Sequence, residues 1–399
     1  MRVAFFTDSY LEFNGVALTS KRLESFARER EMPFLTVHGG EKTQIVRDGS
    51  VTRYELKRSA LSIPLDAGLK YDPFFQRYAK RMKNVLREFR PDVIHMTGLN
   101  DVSILGAWLA FRLHIPMLAS WHTNIHEFSA QRLNQTLGFI PSAVRRPFIK
   151  FIEQQILRGA VFYYKLGQVV LAPNQELVDL LKKGTERAAH LMIRGVDTNL
   201  FAPEKRTVED NIFRLGFCGR LQPEKNVRLL VDLEKELLAA GKSNFEFTII
   251  GDGNERVWLE QNFKNAKFTG FIAGEELSAA YANLDVFVFP SETDTFGNVV
   301  QEAYASGVPA IVANVGGPKF IVRHGETGFI ANNLADFTRY ALELIEHPAE
   351  LEKMRAAARK FVMARSWDAV FERVFEAYAE CVSAAAPPIA KQDLSVASL

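Results

Sequence analysis

Residues 284–305, LDVFVFPSETDTFGNVVQEAYA, contain the local pattern that decides how this chain folds. The apolar run from Leu284 to Pro290 predicts a buried strand. A short polar turn containing Gly297 follows, and residues Asn298 to Ala305 then read as a helix. A strand, a tight loop and a helix N-terminus together form a natural anion site, because the first amide N–H groups of a helix have no partner within it.

Two acids frame this predicted anion site, Asp294 before the helix and Glu302 within it. Eight residues apart, they could bind two parts of one ligand, with hydroxyls at the loop and further hydroxyls along the helix. This layout is expected for a nucleotide diphosphate that carries a sugar. A strand–loop–helix with two acids is also an ordinary α/β connection with a capping carboxylate, so the segment needs support from the rest of the chain.

Length and composition indicate an ordinary globular chain. Its 399 residues suffice for two domains, with 47% hydrophobic and 24% charged residues. Cys218 and Cys381 are its two cysteines, which argues against a disulfide framework or a cysteine metal cluster. No apolar stretch is long enough to span a membrane, and the N-terminus enters a strand pattern directly. We therefore expect a cytoplasmic protein.

Charge is distributed unevenly between the two halves. Residues 1–200 contain 28 lysines and arginines against 19 aspartates and glutamates, whereas the remainder contains 21 against 28. Opposed charges suggest two domains with different partners, the positive one meeting an anionic ligand or surface. Solvated faces alone can also produce such a split.

Strand-like runs alternate with helical stretches in both halves, which predicts two doubly wound, Rossmann-like α/β domains facing a central cleft. The predicted strands are Val3–Phe6, Phe34–Val37, Asp92–His95, Pro116–Ser120, Val169–Ala172, Arg214–Cys218, Glu246–Ile250, Lys267–Gly270, Val286–Phe289 and Ala310–Ala313. The predicted divisions are an N-terminal domain 1–195, a linker 196–210, a C-terminal domain 211–365, a C-terminal helix 366–385 and a flexible tail 386–399. A helical segment from about Leu351 to Ala384 ends the fold, and we expect its last part to return toward the N-terminal domain.

The turn after the predicted strand Arg214–Cys218 carries two cations, Arg220 and Lys225. Together they can hold a diphosphate without a metal, Arg220 through a bidentate fork and Lys225 as a point charge. A surface salt bridge with Glu224 is the alternative interpretation. The chain has no Asp-x-Asp pair, so we expect no metal and no other cofactor. It also lacks the GxGxxG and GxxxxGK[ST] patterns, which argues against a nicotinamide cofactor and a P-loop.

Other candidate residues lie at predicted strand ends. Gly15 allows a ligand to approach the head of the first helix, whose dipole favours a phosphate. His122, just after the strand Pro116–Ser120, is either a partner for a sugar hydroxyl or a structural histidine. The turns at Gly251 and at Phe271 are either contacts for a flat base or plain turns.

Several segments together resemble the retaining glycosyltransferases of the GT-B fold, family 4. The most specific are Gly219-Arg220-Leu221-x-Pro223-Glu224-Lys225 and Asp294-x7-Glu302. Further matching segments are Arg194–Phe201, Gly316-Gly317-Pro318 and Gly325–Gly328, so the resemblance covers almost the whole chain. The family commonly has Glu where Asp294 stands. An Asp at this position, within Thr-Asp-Thr-Phe-Gly-Asn, resembles the sequence of the subgroup that forms mannosides and glycolipids.

The resemblance implies roles for these residues and a hexosyl transfer with retention. The resemblance implies that Glu302 binds the ribose hydroxyls and that Arg220 and Lys225 bind the diphosphate. It also implies that Asp294 binds the donor sugar and that His122 lies beside the reacting face of that sugar. The further donor-binding residues that it implies are Gly15, Arg194, Gly251, Phe271, Phe296, Gly297, Asn298 and Val299. Mannose from GDP-mannose is the expected donor group, with UDP-glucose or UDP-galactose as the alternative. An epimerase of the same fold or a non-catalytic nucleotide-sugar binder is the remaining alternative.

The segment from Phe128 to Leu166 is the part least like the family, and it combines cations with aromatic residues. It carries the cations Arg132, Arg145, Arg146, Lys150, Arg158 and Lys165 with aromatic and aliphatic residues between them. Such helices can lie on anionic bilayers, although a helix that packs its apolar side in the core is the alternative. The expected partners are a nucleotide-sugar donor, a lipid or saccharide acceptor and the inner face of an anionic membrane, with no nucleic acid.

Overall fold

The computed structural model describes residues 1–12, 14–66 and 69–385, so the predicted tail 386–399 lies outside the described residues. The strands within these ranges are β1 Val3–Thr7, β2 Phe34–Gly40, β3 Gln44–Asp48, β4 Val51–Lys57, β5 Ile63–Asp66, β6 Leu69–Tyr71, β7 Val93–Met96, β8 Met117–Ser120, β9 Val169–Ala172, β10 Ala188–Leu191, β11 Phe213–Cys218, β12 Phe245–Ile250, β13 Ala266–Gly270, β14 Val286–Phe289, β15 Ala310–Ala313 and β16 Gly328–Ala331. The α-helices are α1 Gly15–Glu29, α2 Ala79–Phe89, α3 Asp101–Leu113, α4 Ile125–Thr136, α5 Ser142–Tyr164, α6 Gln175–Thr185, α7 Arg228–Ala239, α8 Arg256–Asn262, α9 Gly274–Ala282, α10 Asn298–Ala305, α11 Leu334–Glu346, α12 Pro348–Met363 and α13 Trp367–Ala385.

The N-terminal sheet has the strand order β10-β9-β8-β7-β1-β2-β4-β3. Its central strand β1 pairs in parallel with β2 and β7, with Val3 opposite both Phe34 and Val93. All its strands are parallel except β3, which runs antiparallel to β4 at the edge. The expected doubly wound sheet is confirmed. The polar edge strand β3 and the short hairpin β5–β6 are additions that the apolar pattern did not indicate.

The C-terminal sheet is wholly parallel, with the order β13-β12-β11-β14-β15-β16. Numbered within this half, that is 3-2-1-4-5-6, the strand order of the Rossmann fold. The order reverses between β11 and β14, and ligands of such sheets bind outside the carboxyl ends of the strands at that point. Arg220 follows β11 and Asp294 follows β14, so the topology brings both to the expected crevice.

The last helix, α13, belongs structurally to the N-terminal half. Its residues Phe371 and Tyr378 are buried in one cluster with Phe5 and Leu118 of the N-terminal sheet. The polypeptide passes between the two halves twice, near Val196 and near Arg365. These two connecting segments are in contact, because the Val196 amide donates to the carbonyl of Arg365 at 3.3 Å. One face of the N-terminal sheet is therefore covered by residues from the C-terminal end of the described chain.

The helical segment expected from Leu351 to Ala384 consists of two helices, α12 and α13, and α13 begins at Trp367, one residue after the start predicted for the C-terminal helix. The break falls at Ala364–Ser366, and the Ser366 hydroxyl accepts a hydrogen bond from the Ala369 amide at 3.2 Å. A serine that bonds to an amide three residues later starts a new helix. No described helix is long and apolar enough to cross a membrane.

Candidate active site

The N-terminus of α10 is the place where the sequence predicts an anion site. Gly297 precedes the helix with φ of 103°, a conformation that L side chains rarely adopt, so glycine is required there. Among the described residues, no side chain caps this helix. By contrast, Asn14 caps α1 by accepting from the amides of Val16 and Ala17 at 3.0 and 2.9 Å. The amides of α10 are therefore better placed to meet an anion than those beside Gly15.

Lys225 and Asp294 meet although 69 residues separate them in sequence. The Lys225 ammonium donates to both carboxylate oxygens of Asp294, at 2.8 and 2.7 Å. Burial alone would raise the pKa of Asp294, but the charge and hydrogen bond of Lys225 outweigh it, and that pKa is lowered. Asp294 therefore stays ionised and holds the ammonium at the mouth of the crevice.

Arg220 lies beside this pair. Its charge helps to lower the pKa of Asp294, and its guanidinium is 3.7 Å from the carboxylate of Glu224. The alternative of a salt bridge with Glu224 thus describes one contact of Arg220, whereas Lys225 bonds to Asp294 instead. Within the described residues, no group of three or more histidine, cysteine or acidic side chains is arranged to hold a metal ion.

Glu302 occupies a different environment, about one turn into α10 from the loop that carries Asp294. Its carboxylate accepts a hydrogen bond from the Tyr281 hydroxyl at 3.0 Å and lies near Cys218. Burial raises the pKa of Glu302 to about 7, because the single tyrosine hydrogen bond does not offset the desolvation. Glu302 therefore changes its charge near neutral pH, while Asp294 does not.

His122 and Arg194 lie together in the N-terminal wall of the cleft, and both are almost fully buried. Arg194 donates to Nδ1 of His122 at 2.8 Å and to the carbonyl of Met192 at 2.7 Å. The second ring nitrogen of His122, Nε2, is 2.7 Å from the Ser120 hydroxyl. Both ring nitrogens of His122 and part of the Arg194 guanidinium are thus engaged inside the wall. Burial, assisted by the charge of Arg194, lowers the pKa of His122 far below its usual value, so the ring is neutral.

The two halves of the cleft touch at the donor loop, Ser291–Gly297. The Thr295 hydroxyl donates to the carbonyl of His122 at 2.8 Å, and the Asn174 side chain donates to the carbonyl of Thr295 at 2.9 Å. On α10, the Gln301 side chain donates to the carbonyl of Arg194, also at 2.8 Å. Sequence reasoning gave none of these three side chains a role. Asn174 could have been found, because it follows β9 at a carboxyl strand end as His122 follows β8.

The remaining predicted residues divide between the crevice and the framework. Gly15 faces Asn298 across the cleft, since a Cβ on Gly15 would be 3.0 Å from Nδ2 of the Asn298 side chain. Gly251 crosses the backbone of Gly219 so closely that any side chain would collide with it, which is a packing reason for glycine. Phe271 follows β13 and is 66% exposed.

Two residues beside Gly297 and Asn298 support the helix rather than the crevice. Phe296 is buried, with the Arg194 guanidinium 5.9 Å from its ring centroid. Val299 packs against the core of the C-terminal half. Their side chains therefore fix the start of α10.

Profiles of two known families match this chain. "Glycosyltransferase Family 4" matches residues 35–200, and "Glycosyl transferases group 1" matches residues 212–347. The two matches fall on the N-terminal and the C-terminal sheet, and α13 lies beyond both.

Individual relatives extend over almost the entire chain. A GDP-mannose-dependent alpha-mannosyltransferase of Corynebacterium glutamicum is 30% identical, covering 96% of this chain and 90% of the relative. An enzyme of the same name from Mycobacterium tuberculosis is 31% identical over 95% of this chain and 96% of the relative. Among solved structures, sucrose-phosphate synthase from Thermosynechococcus elongatus superposes with a TM-score of 0.73 at 17% identity, covering 96% of this chain and all of that one. The two-domain GT-B architecture is thereby confirmed, and the chain belongs to glycosyltransferase family 4.

Proposed function

We propose that this protein transfers mannose from GDP-mannose, with retention of configuration, to a lipid or glycolipid acceptor. The observation that carries the proposal is the Lys225–Asp294 ion pair at the uncapped start of α10, with Glu302 on the same helix. The two relatives that are 30% and 31% identical are named as GDP-mannose-dependent alpha-mannosyltransferases, which supports the choice of donor. UDP-glucose or UDP-galactose is the competing donor.

In this proposal the diphosphate binds between Lys225, Arg220 and the first amides of α10. When the glycosidic bond breaks, the leaving diphosphate gains negative charge. Cations and amides that are already in place stabilise that transition state more than the ground state. Asp294 has two functions in this scheme. It keeps Lys225 in position before the donor arrives, and it then accepts hydrogen bonds from hydroxyls of the donor sugar.

Retention follows from attack on the face of the sugar that the diphosphate leaves. The departing phosphate oxygen accepts the proton of the acceptor hydroxyl as the new glycosidic bond forms. Glu302 holds the ribose hydroxyls, so it anchors the donor without entering the reaction. We propose no covalent carboxylate intermediate.

The proposed transfer is tested with GDP-mannose labelled in the sugar and vesicles that contain membrane lipids. We expect labelled lipid to accumulate, with an α-linkage in the product by NMR. The competing donors, UDP-glucose and UDP-galactose, are assayed at the same concentration. Faster transfer from a UDP-hexose would overturn the mannose assignment while leaving the hexosyl transfer intact.

The proposed site works without a metal, because Lys225 and Arg220 neutralise the diphosphate. Turnover should therefore persist in excess chelator. Loss of activity in chelator that Mg²⁺ or Mn²⁺ restores would contradict the two-cation site.

The acceptor side of the proposal rests on an exposed stripe along α5, defined by Val144, Phe148, Phe151, Arg158 and Phe162. Their spacing of three, four and seven residues places them on one helix face. The three phenylalanines are 50, 57 and 74% exposed, whereas Ile149, Ala160 and Tyr164 of the same helix are buried. Exposed Arg146 and Lys150 lie on the same helix. Aromatic rings among cations fit the headgroup region of an anionic bilayer.

Co-sedimentation with vesicles of phosphatidylglycerol and phosphatidylcholine tests this surface. We expect binding that falls as salt rises and that is lost when Arg145, Arg146 and Lys150 are changed to Glu. The matched control carries the same three-charge reversal at Lys235, Lys264 and Lys353 of the C-terminal half, which are exposed. Equal loss in both triple variants, or wild-type binding by the α5 variant, would refute membrane docking through α5.

A further inference from the structure

A continuous chain of buried side chains runs from the cleft to the C-terminal helix. It passes from Arg194 to His122, then to the Ser120 hydroxyl, then to Nε2 of His95, and from Nδ1 of His95 to the Tyr378 hydroxyl. Its four hydrogen bonds measure 2.7 or 2.8 Å. All five side chains are buried, and those of His95 and Tyr378 are inaccessible to solvent.

Arg194 fixes the direction of the first two hydrogen bonds in this series. A guanidinium can only donate, so Nδ1 of His122 must accept and the ring proton of neutral His122 must lie on Nε2. That proton is donated to the Ser120 oxygen. The Ser120 hydroxyl is 2.7 Å from Nε2 of His95 and 3.5 Å from the carbonyl of Met96, and the shorter distance favours donation to His95. In that arrangement His95 carries its proton on Nδ1, facing the Tyr378 hydroxyl.

This series of hydrogen bonds ends at His122 and Arg194, where the two halves of the cleft meet. The carbonyl of His122 accepts from Thr295 of the donor loop, and the carbonyl of Arg194 accepts from Gln301 of α10. Movement of either residue would shift the loop that carries Asp294. Ser120, His95 and Tyr378 lie behind these two residues and do not face the donor.

We propose that Ser120, His95 and Tyr378 are positioning residues, which hold His122 and Arg194 so that the donor loop keeps Asp294 and Lys225 aligned. Tyr378 lies on α13, beyond residues 35–200 and 212–347 that the family profiles match. The C-terminal helix thus contributes to the geometry of the cleft, and not to the stability of the sheet alone. The effect on turnover rests on the proposed transfer reaction, whereas the proton arrangement can be measured without it.

The decisive variant is Tyr378→Phe, which removes one hydroxyl and leaves the shape of the side chain. The matched control is Tyr340→Phe on α11, a buried tyrosine whose hydroxyl accepts a hydrogen bond from Arg339 and lies outside the chain. Histidine ¹⁵N spectra of wild type, both variants and Ser120→Ala are recorded without ligand. His95→Gln and His122→Gln assign their signals among the eight histidines.

In wild type we expect the proton on Nε2 of His122 and on Nδ1 of His95. Tyr378→Phe should move His95 toward the other tautomer and shift the Nε2 signal of His122, because Ser120 then receives protons from both rings. With GDP-mannose, loss of one buried hydrogen bond of ordinary strength should lower kcat/KM about fivefold. The Tyr340→Phe control should keep both the spectrum and kcat/KM.

Three results would overturn the proposal. The first is a proton on Nδ1 of His122 in wild type, and the second is unchanged histidine spectra in Tyr378→Phe. The third is an equal loss of kcat/KM in the two tyrosine variants alongside equal losses of thermal stability, which would indicate a structural role only. If no variant or wild type transfers mannose, the spectra still decide the proton arrangement, and the proposed function alone has failed.

Discussion

The two walls of the cleft are built from opposite kinds of side chain. The C-terminal wall presents charges at strand and helix ends, with Lys225, Asp294 and Glu302 in contact with the crevice region. The N-terminal wall keeps its polar groups buried, and His122 and Arg194 bond mainly to their own wall. In the proposed transfer, the charged wall acts on the donor directly. The buried wall contributes to it by holding the donor loop at Thr295.

The largest expected effect comes from the charged wall, at Lys225. Lys225→Ala should lower kcat roughly 100- to 1,000-fold, as expected when one preorganised group that stabilises transition-state charge is lost. Steady-state kinetics with GDP-mannose measure this loss. Lys235→Ala, an exposed lysine of the same domain paired with Asp232, is the control and should keep wild-type rates. A loss below about threefold in Lys225→Ala would remove the distinction between the two walls, since that is smaller than one ordinary hydrogen bond.

The next largest expected effect is a pH dependence of GDP affinity, caused by Glu302. Its pKa of about 7 lies above the usual carboxyl range, so it is protonated at pH 6 and ionised at pH 8. An ionised carboxylate accepts both ribose hydroxyls, so GDP affinity should rise with pH, approaching tenfold per unit below the pKa. Calorimetry of GDP binding from pH 6 to 8 measures this. Glu302→Gln cannot ionise and should bind GDP more weakly with little pH dependence. The same pH slope in that variant would show that another group is responsible.

The contact between the walls gives a smaller effect. Thr295→Val keeps the size of the side chain and removes the hydroxyl that donates to the carbonyl of His122. We expect kcat/KM to fall about fivefold, in keeping with one lost hydrogen bond. Thr338→Val is the control, because its hydroxyl bonds within α11 to the carbonyl of Leu334. An effect as large as that of Lys225→Ala would mean that the buried wall contributes as much as the charged one.

The smallest effect on the donor site is expected from changes to the cations of α5. Changing Arg145, Arg146 and Lys150 to Glu should leave GDP affinity within about twofold of wild type, because an exposed charge beyond the Debye length is largely screened. Calorimetry checks this beside the vesicle assay. A large loss of GDP affinity would place α5 in the donor site and merge two functions that we assign to separate surfaces.

The candidate residues of the charged wall could be predicted from the sequence, whereas of the buried wall only His122 and Arg194 were among the candidates. Asp294 and Glu302 lie in one short segment after a readable strand, and Arg220 and Lys225 lie in another. Local patterns therefore identified the candidates, although the direct Lys225–Asp294 bond joins two segments that only the fold brings together. The hydrogen-bond chain through Ser120, His95 and Tyr378 spans 283 residues between its last two members. No spacing or periodicity indicates such a contact.

The strands that the sequence missed are β3, β4, β5, β6, β10 and β16, and three of them have a physical reason in common. The strand β3 and the hairpin β5–β6 lie at an edge or outside both large sheets, and their residues are mostly exposed or half-buried. Apolar patterning marks strands that are buried on both faces, so these elements give little signal.

The proposed donor site for GDP-mannose is formed by Lys225, Asp294 and Glu302, and its most direct test is a thermal-shift measurement in chelator. Melting temperatures of wild type, Lys225→Ala and Glu302→Ala are recorded with GDP, GDP-mannose, UDP and UDP-glucose, since a ligand that binds the folded state raises the melting temperature. We expect GDP-mannose to give the largest rise in wild type and a much smaller one in both variants. No rise with any nucleotide, or equal rises in wild type and both variants, would contradict the account.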